Sequence, residues 1–199
     1  MRTGARGWVI GVAFLVAAFC VATNARSRSP AEDGEIRGDI LKLADAIEKG
    51  GDATKAQAGA IGKKAELEDV MGLFRLRTKK GFGVGEKPGA ITPDGIELFI
   101  INLGKRELRK DQLASESKDL ARAAYVTAAI AEIAQSKCPV DKKQGDKDPK
   151  SWKAWAEDMR KSALDLAKAS ESKNAKAVKT AANKVNSSCN ACHAVFRDQ

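Results

Sequence analysis

Apolar residues recur at intervals of three and four along most of the chain, and sustained alternation is missing, so the pattern predicts helices and no credible β-sheet. Ile36, Ile40, Leu43, Ala44 and Ile47 mark a first helix from Asp33 or Glu35 to about Lys49, closed by Gly50-Gly51. A weaker repeat through Ala53, Ala56, Ala60, Ile61, Leu67, Val70 and Met71 predicts a second helix from about Asp52 to Phe74, interrupted by Gly59 and Gly62. Residues 31–74 thus read as a helical hairpin. Residues 75–112 read as a glycine-rich loop, with Gly81, Gly83, Gly85, Pro88 and Gly89, followed by one short helix from Pro93 to about Leu103 opened by Thr92.

The remaining residues, 113–199, carry the strongest periodicity. Ser115 or Ser117 opens a helix through Leu120, Ala124, Val126, Ala128, Ile130, Ile133 and Ala134, ending near Cys138-Pro139. Val140 to Lys150 is a polar connection. Trp152, Trp155, Met159, Ala163, Leu166 and Ala167 mark the next helix, Ser170 to Asn174 a tight turn, and Ala175 through Val178, Ala182, Val185 and Cys189 to Phe196 the last one.

At the other end, Arg2 and Arg6 precede the apolar run Trp8 to Ala22, and Thr23-Asn24-Ala25 supplies small residues for cleavage after Ala25. Residues 1–25 therefore read as a secretory signal, with an uncleaved membrane anchor as the minor alternative because the run is short for a span. Bulky Phe19 before Cys20 argues against a lipoprotein cysteine. Export would place the mature chain outside the cytoplasm, in bacteria the periplasm. Residues 26–199 are expected to form one domain.

The chain has 35 Lys and Arg against 26 Asp and Glu, a net charge of +9. Removing residues 1–25 takes two arginines and no acid, leaving 33 basic side chains against 26 acidic ones. That surface can steer the chain toward an acidic partner protein, or simply keep it soluble. Nucleic acid is not an expected partner, since no basic run is interleaved with aromatics. Aromatic residues are only 5% of the chain, so a bound macrocycle would supply apolar mass that its own side chains lack.

The chemistry is concentrated in Cys189-Asn190-Ala191-Cys192-His193, which includes the only histidine. This spacing reads as a covalent haem attachment site. Cysteines three apart share one helix face and can present both sulfurs to the two vinyl groups of one porphyrin, with the adjacent imidazole as the proximal iron ligand. Other readings exist. A structural zinc site would need Cys138 as a fourth ligand and poor geometry at His193. A CxxC redox pair would need a βαβ setting. A Cys189–Cys192 disulfide would be strained within a helix and would leave His193 without a purpose.

Trp152-x-x-Trp155 to Ala169, the short turn, and Ala175 to Cys189-x-x-Cys192-His193-x-x-Phe196-Arg197 resemble the C-terminal helical hairpin of class II c-type cytochromes, the cytochrome c′ and c556 group. The likeness extends back through the alanine-rich helix at Tyr125 to Ala134, covering about residues 115–199. It implies an all-α fold, an antiparallel four-helix bundle with one haem c near one end, elaborated here by an extra N-terminal helix and loop. It also implies that Cys189 and Cys192 are thioether donors, that His193 is the proximal ligand, that Phe196 packs against the haem, and that Arg197 lies beside the imidazole. A cation at a helix end, favoured by the dipole, would look the same as Arg197. Family members often dimerise through their first helix, a contact that the additional helix here could replace or block.

A weak internal likeness adds one candidate. Asp158-Met159-Arg160 to Ala169 parallels Glu35-Ile36-Arg37 to Ala46, and Cys192 to Arg197 then aligns with Val70 to Arg75, setting His193 opposite Met71. If the two hairpins pack with their second helices parallel, Met71 lies at the haem end as a candidate sixth iron ligand; otherwise it fills core space. Met159 reads as core, Trp152 and Trp155 as packing anchors, with Trp155 a candidate neighbour of the haem. Gly81-Phe82-Gly83-Val84-Gly85-Glu86 lacks the third glycine and the leading strand of a dinucleotide site, so it reads as a mobile or haem-edge loop. Cys138 is left over as an inter-chain cross-link, a buried thiol or a modified surface cysteine.

The functional reading is a periplasmic electron carrier that meets redox partner proteins. The resemblance also implies a five-coordinate alternative that binds nitric oxide or carbon monoxide, and a haem-containing sensor or interaction module is a third. No second base or nucleophile constellation can be assembled, so an enzyme is not expected.

Overall fold

The computed structural model describes residues 30–51 and 54–197; the expected signal at residues 1–25 lies outside them. Seven helices follow in order: α1 Pro30–Glu48, α2 Thr54–Lys64, α3 Leu67–Gly72, α4 Ile96–Lys105, α5 Lys110–Ala134, α6 Pro149–Glu171 and α7 Ala175–Phe196. A 3-10 turn at Arg77–Lys79 and two isolated bridges, Leu76 with Gly95 and Gln144 with Lys147, are the other regular features. Among the described residues there is no β-strand, and no helix is long and apolar enough to cross a membrane.

The all-α bundle is built around α5. Every residue from Ala123 to Ala134 is buried, because α5 has α6 on one side and α1 and α2 on another. A helix enclosed in this way must be apolar nearly all round, and small alanines let its neighbours approach closely. Two polar side chains in the stretch have partners: Thr127 Oγ1 donates to Ala123 O at 2.8 Å, and Glu132 forms an ion pair with Arg160 of α6.

Cross-contacts fix the directions. Trp152 Nε1 at the start of α6 donates to Ala134 O at the end of α5, while Tyr125 Oη donates to Glu171 at the far end of α6, so the two helices are antiparallel. α7 returns along α6 after a turn in which Asn174 caps the helix, its Oδ1 accepting from Ala177 N at 3.0 Å. The remaining side of the bundle is divided. α4 packs on α7, where Asn183 Nδ2 donates to Gly104 O at 2.9 Å, and α1 packs on α5, where Arg122 meets Asp45. A Cβ at Gly104 would stand 2.5 Å from Asn183 Oδ1, so a side chain there would push the Asn183 amide aside.

Several boundaries differ from those the sequence predicts. The expected helix over 52–74 is two helices, because Glu66 is extended and starts α3. Gly62 also lies against Ser136, just past the end of α5, where an added Cβ would stand 2.7 Å from the Ser136 hydroxyl. The short helix begins at Ile96 rather than at Pro93, since Asp94 spends its carboxylate on the preceding loop instead of on a helix cap. α5 starts at Lys110, not at Ser115 or Ser117. Ser115 Oγ donates back to Gln112 O, and Ser117 is buried inside the helix.

The glycine-rich loop is held by a network of hydrogen bonds. Arg77 Nε donates to Asp94 Oδ2 at 2.9 Å and its Nη2 to Gly85 O at 2.7 Å, while Val84 N and Gly89 N donate to the same carboxylate. Gly83 has φ +73°, and a Cβ there would run into Asp94 and Arg77. From α1, Arg37 bonds Lys80 O and Gly81 O and lies 4.6 Å over the Phe82 ring.

Candidate functional site

α7 carries the cysteine pair and the histidine on its last two turns, toward the end of the bundle where α5 finishes and α6 begins. A cleft of about 660 Å³ opens there between α3, α4, α6 and α7. That volume is within the range of roughly 300–1,000 Å³ usual for cofactor sites. Cys189, Cys192 and His193 all line it, so the structure brings the three motif residues together.

The walls are largely apolar. α6 contributes Trp152, Trp155, Ala156 and Met159; α3 and the turn after it contribute Leu67, Glu68, Met71, Phe74 and Arg75; α4 contributes Glu97, Ile100 and Ile101. Phe196 closes one end, edge-on to Trp152 at 5.0 Å and to Trp155 at 6.1 Å between ring centroids. Trp152 is buried with its indole N–H satisfied by Ala134 O, so it holds the wall in place. Met159 is buried, as its position suggests, yet it also borders the cleft, with Sδ 3.9 Å from Cys189 Sγ.

Met71 lines the same cleft from α3, half-buried, on a wall that also carries Leu67 and Phe74 at helical spacing. None of the residues lining the cleft comes from the glycine-rich loop at 81–89. Cys138 is half-buried and packs with Cys192, Trp155 and Val195 against the small cluster of Ala134, Trp152, Ala156 and Phe196.

Electrostatics favour neutral groups at the motif. Burial pushes the Cys189 thiol up to about 12, with Cys192 and the Glu97 carboxylate adding to the shift. Burial, then Cys138, raises the Cys192 thiol to about 11. Burial and the Arg197 charge hold His193 below its ordinary value against the opposing pull of Glu97, so at neutral pH the imidazole has the free nitrogen that a metal needs. Arg197 is exposed at the C-cap, its N–H bonded to His193 O at 3.2 Å.

The donor set suits a macrocycle better than a bare ion. Among the described residues no group of three or more His, Cys, Asp or Glu side chains is placed to hold a metal ion, so Cys138 does not complete a zinc site. What the cleft offers is a large apolar volume, two thiols on its wall and one imidazole. Those features fit a flat apolar ring that brings its own metal.

Sequence reasoning passed over Leu67, Phe74, Arg75, Glu97, Ile100 and Ile101. The spacing of Leu67, Met71 and Phe74 by four and three was a visible signal, but nothing local distinguishes a cavity face from a core face. Glu97 carries no signal at all, since its role depends on α4 lying against α7.

A family model described as cytochrome C′ matches residues 104–197, the segment from the end of α4 to the end of α7. Neither a curated relative nor a solved structure matches the chain. The matched family implies a haem cofactor, and the apolar cleft lined by two thiols and an imidazole fits such a group.

Proposed function

We propose that the chain, a member of the class II c-type cytochromes through residues 104–197, is an electron carrier with one covalent haem c. The observation that carries this is the convergence of Cys189, Cys192, His193 and Met71 on one apolar cleft at the end of the bundle. A haem bound there supplies a one-electron iron couple tuned by its axial ligands and by burial.

The chain's own residues do the rest. Cys189 and Cys192 hold the ring through thioether bonds, and half-buried His193 presents a neutral imidazole from the α7 side. Met71 would bring a thioether to the same cleft from the α3 wall, as a candidate sixth iron ligand. Trp152, Phe74 and Phe196 exclude water, which lowers the local dielectric around the group. Arg75 and Arg197 line the cleft as cations, Arg197 beside His193 and Arg75 on the α3 side, where it would be available to a carboxylate of a bound ring. The net positive charge supports association with acidic redox partners, and the signal-like sequence of residues 1–25 supports a periplasmic setting. No catalytic role is assigned to any residue.

The test is denaturing electrophoresis of the exported protein with haem staining. The native chain should keep its haem through denaturation, and the Cys189→Ala, Cys192→Ala double variant should lose it. Stain retained by the double variant would refute the attachment site.

A further inference from the structure

The segment that carries Met71, Phe74 and Arg75 lies outside the family-matched residues, and α3 is only six residues long with little packing of its own on α5. Such a short helix does not hold a position by itself. Something else must fix this wall, and the hydrogen bonds show what does.

Residues 73–77 run between two partner strips. On one side Leu73 O accepts from Phe82 N at 2.9 Å and Leu76 O accepts from Gly81 N at 3.0 Å. On the other, Phe74 O accepts from Glu97 N at 3.0 Å and Arg77 N donates to Asp94 O at 2.8 Å. The approach is close enough to require glycine on both sides. A Cβ at Gly81 would collide with Arg75 O, and one at Gly95 would stand 2.9 Å from Leu76 Cα.

One ion pair locks the two strips to each other. Asp94 accepts from Arg77 Nε, Val84 N and Gly89 N, and Arg77 reaches on to Gly85 O. The glycine-rich loop is therefore a clasp that ties the end of α3 to the first turn of α4, and Phe74 and Glu97, joined by a backbone bond, both line the cleft.

We infer that Asp94 and Arg77 are positioning residues: through this clasp they hold Met71 and Phe74 over the haem face opposite His193 and so limit access of small external ligands to the iron. The inference rests on the haem reading above. It does not depend on whether Met71 binds iron, because a ligated Met71 and an unligated apolar wall both block the same approach.

The experiment compares the exported holoprotein with Asp94→Asn and, as a milder second variant, Arg77→Lys, which keeps the charge but loses the fork. Two readouts are taken: the rate of carbon monoxide binding to the reduced protein, and amide hydrogen exchange across residues 71–84. Opening the clasp should raise both the association rate and the exchange at Arg77, Phe82 and Val84 roughly tenfold, with α5 to α7 still protected. Faster exchange with an unchanged carbon monoxide rate would overturn the inference, and so would unchanged exchange in both variants. A wild-type chain that takes up no haem would instead refute the functional reading, and the access claim with it, before any variant is compared.

Discussion

Met159 Sδ lies 3.9 Å from Cys189 Sγ across the α6–α7 contact. On the proposed haem reading, a thioether sulfur at Cys189 would sit at the ring's rim, which makes Met159 the candidate for edge packing and leaves Met71 on α3 as the axial candidate. Met159→Leu should leave the ferric spin state unchanged and cost under about 1.5 kcal/mol of stability, the range for a volume-conserving core swap. Met71→Ala should convert low-spin iron to high-spin. Optical and EPR spectra of the two variants read the difference, and an unchanged spin state in Met71→Ala would remove it from the ligand set.

Thiol burial makes a prediction for the chain before haem is attached. With the Cys189 thiol pushed up to about 12, almost none is thiolate at pH 8, whereas a free cysteine near 8.5 carries an appreciable fraction. Alkylation of the reduced apo-protein at pH 8 should be much slower at Cys189 than in the unfolded chain, by mass spectrometry of labelled peptides. Equal rates would mean that the cleft is open to solvent before haem arrives.

Glu132 and Arg160 form an ion pair between α5 and α6, with the Glu132 side chain 4% exposed. Removing one partner leaves the other charge buried alone. Arg160→Met should cost about 3–5 kcal/mol in urea unfolding, and adding Glu132→Leu should recover much of that loss. A single-variant cost below about 1 kcal/mol would show that water reaches the carboxylate.

The fold class and the grouping of Cys189, Cys192 and His193 on one wall were legible in the sequence because their signals are local. A repeat of three and four defines α1, α5, α6 and α7, and cysteines three apart followed by histidine need only the geometry of α7. The unread parts depend on distant chain. Glu66 breaks the second helix through a backbone turn that composition does not mark, although Gly59 and Gly62 hinted at weakness there. Ser115 and Ser117 looked like caps because serine often caps, yet the helix continues back to Lys110. The loop glycines looked like a sign of mobility, but Gly81 and Gly95 are there to let two strips of backbone come together. Met71 was found only by comparing the chain with itself, and its place on the cleft wall follows from the fold.

The central claim is tested most directly by optical and EPR spectroscopy of the mature protein, expressed with its export signal alongside haem-attachment machinery. The account predicts a c-type haem spectrum with low-spin ferric iron and a methionine charge-transfer band that Met71→Ala abolishes. High-spin iron that takes up nitric oxide would contradict the six-coordinate carrier and make the chain a gas-binding protein, and the lack of any haem band would contradict the account as a whole.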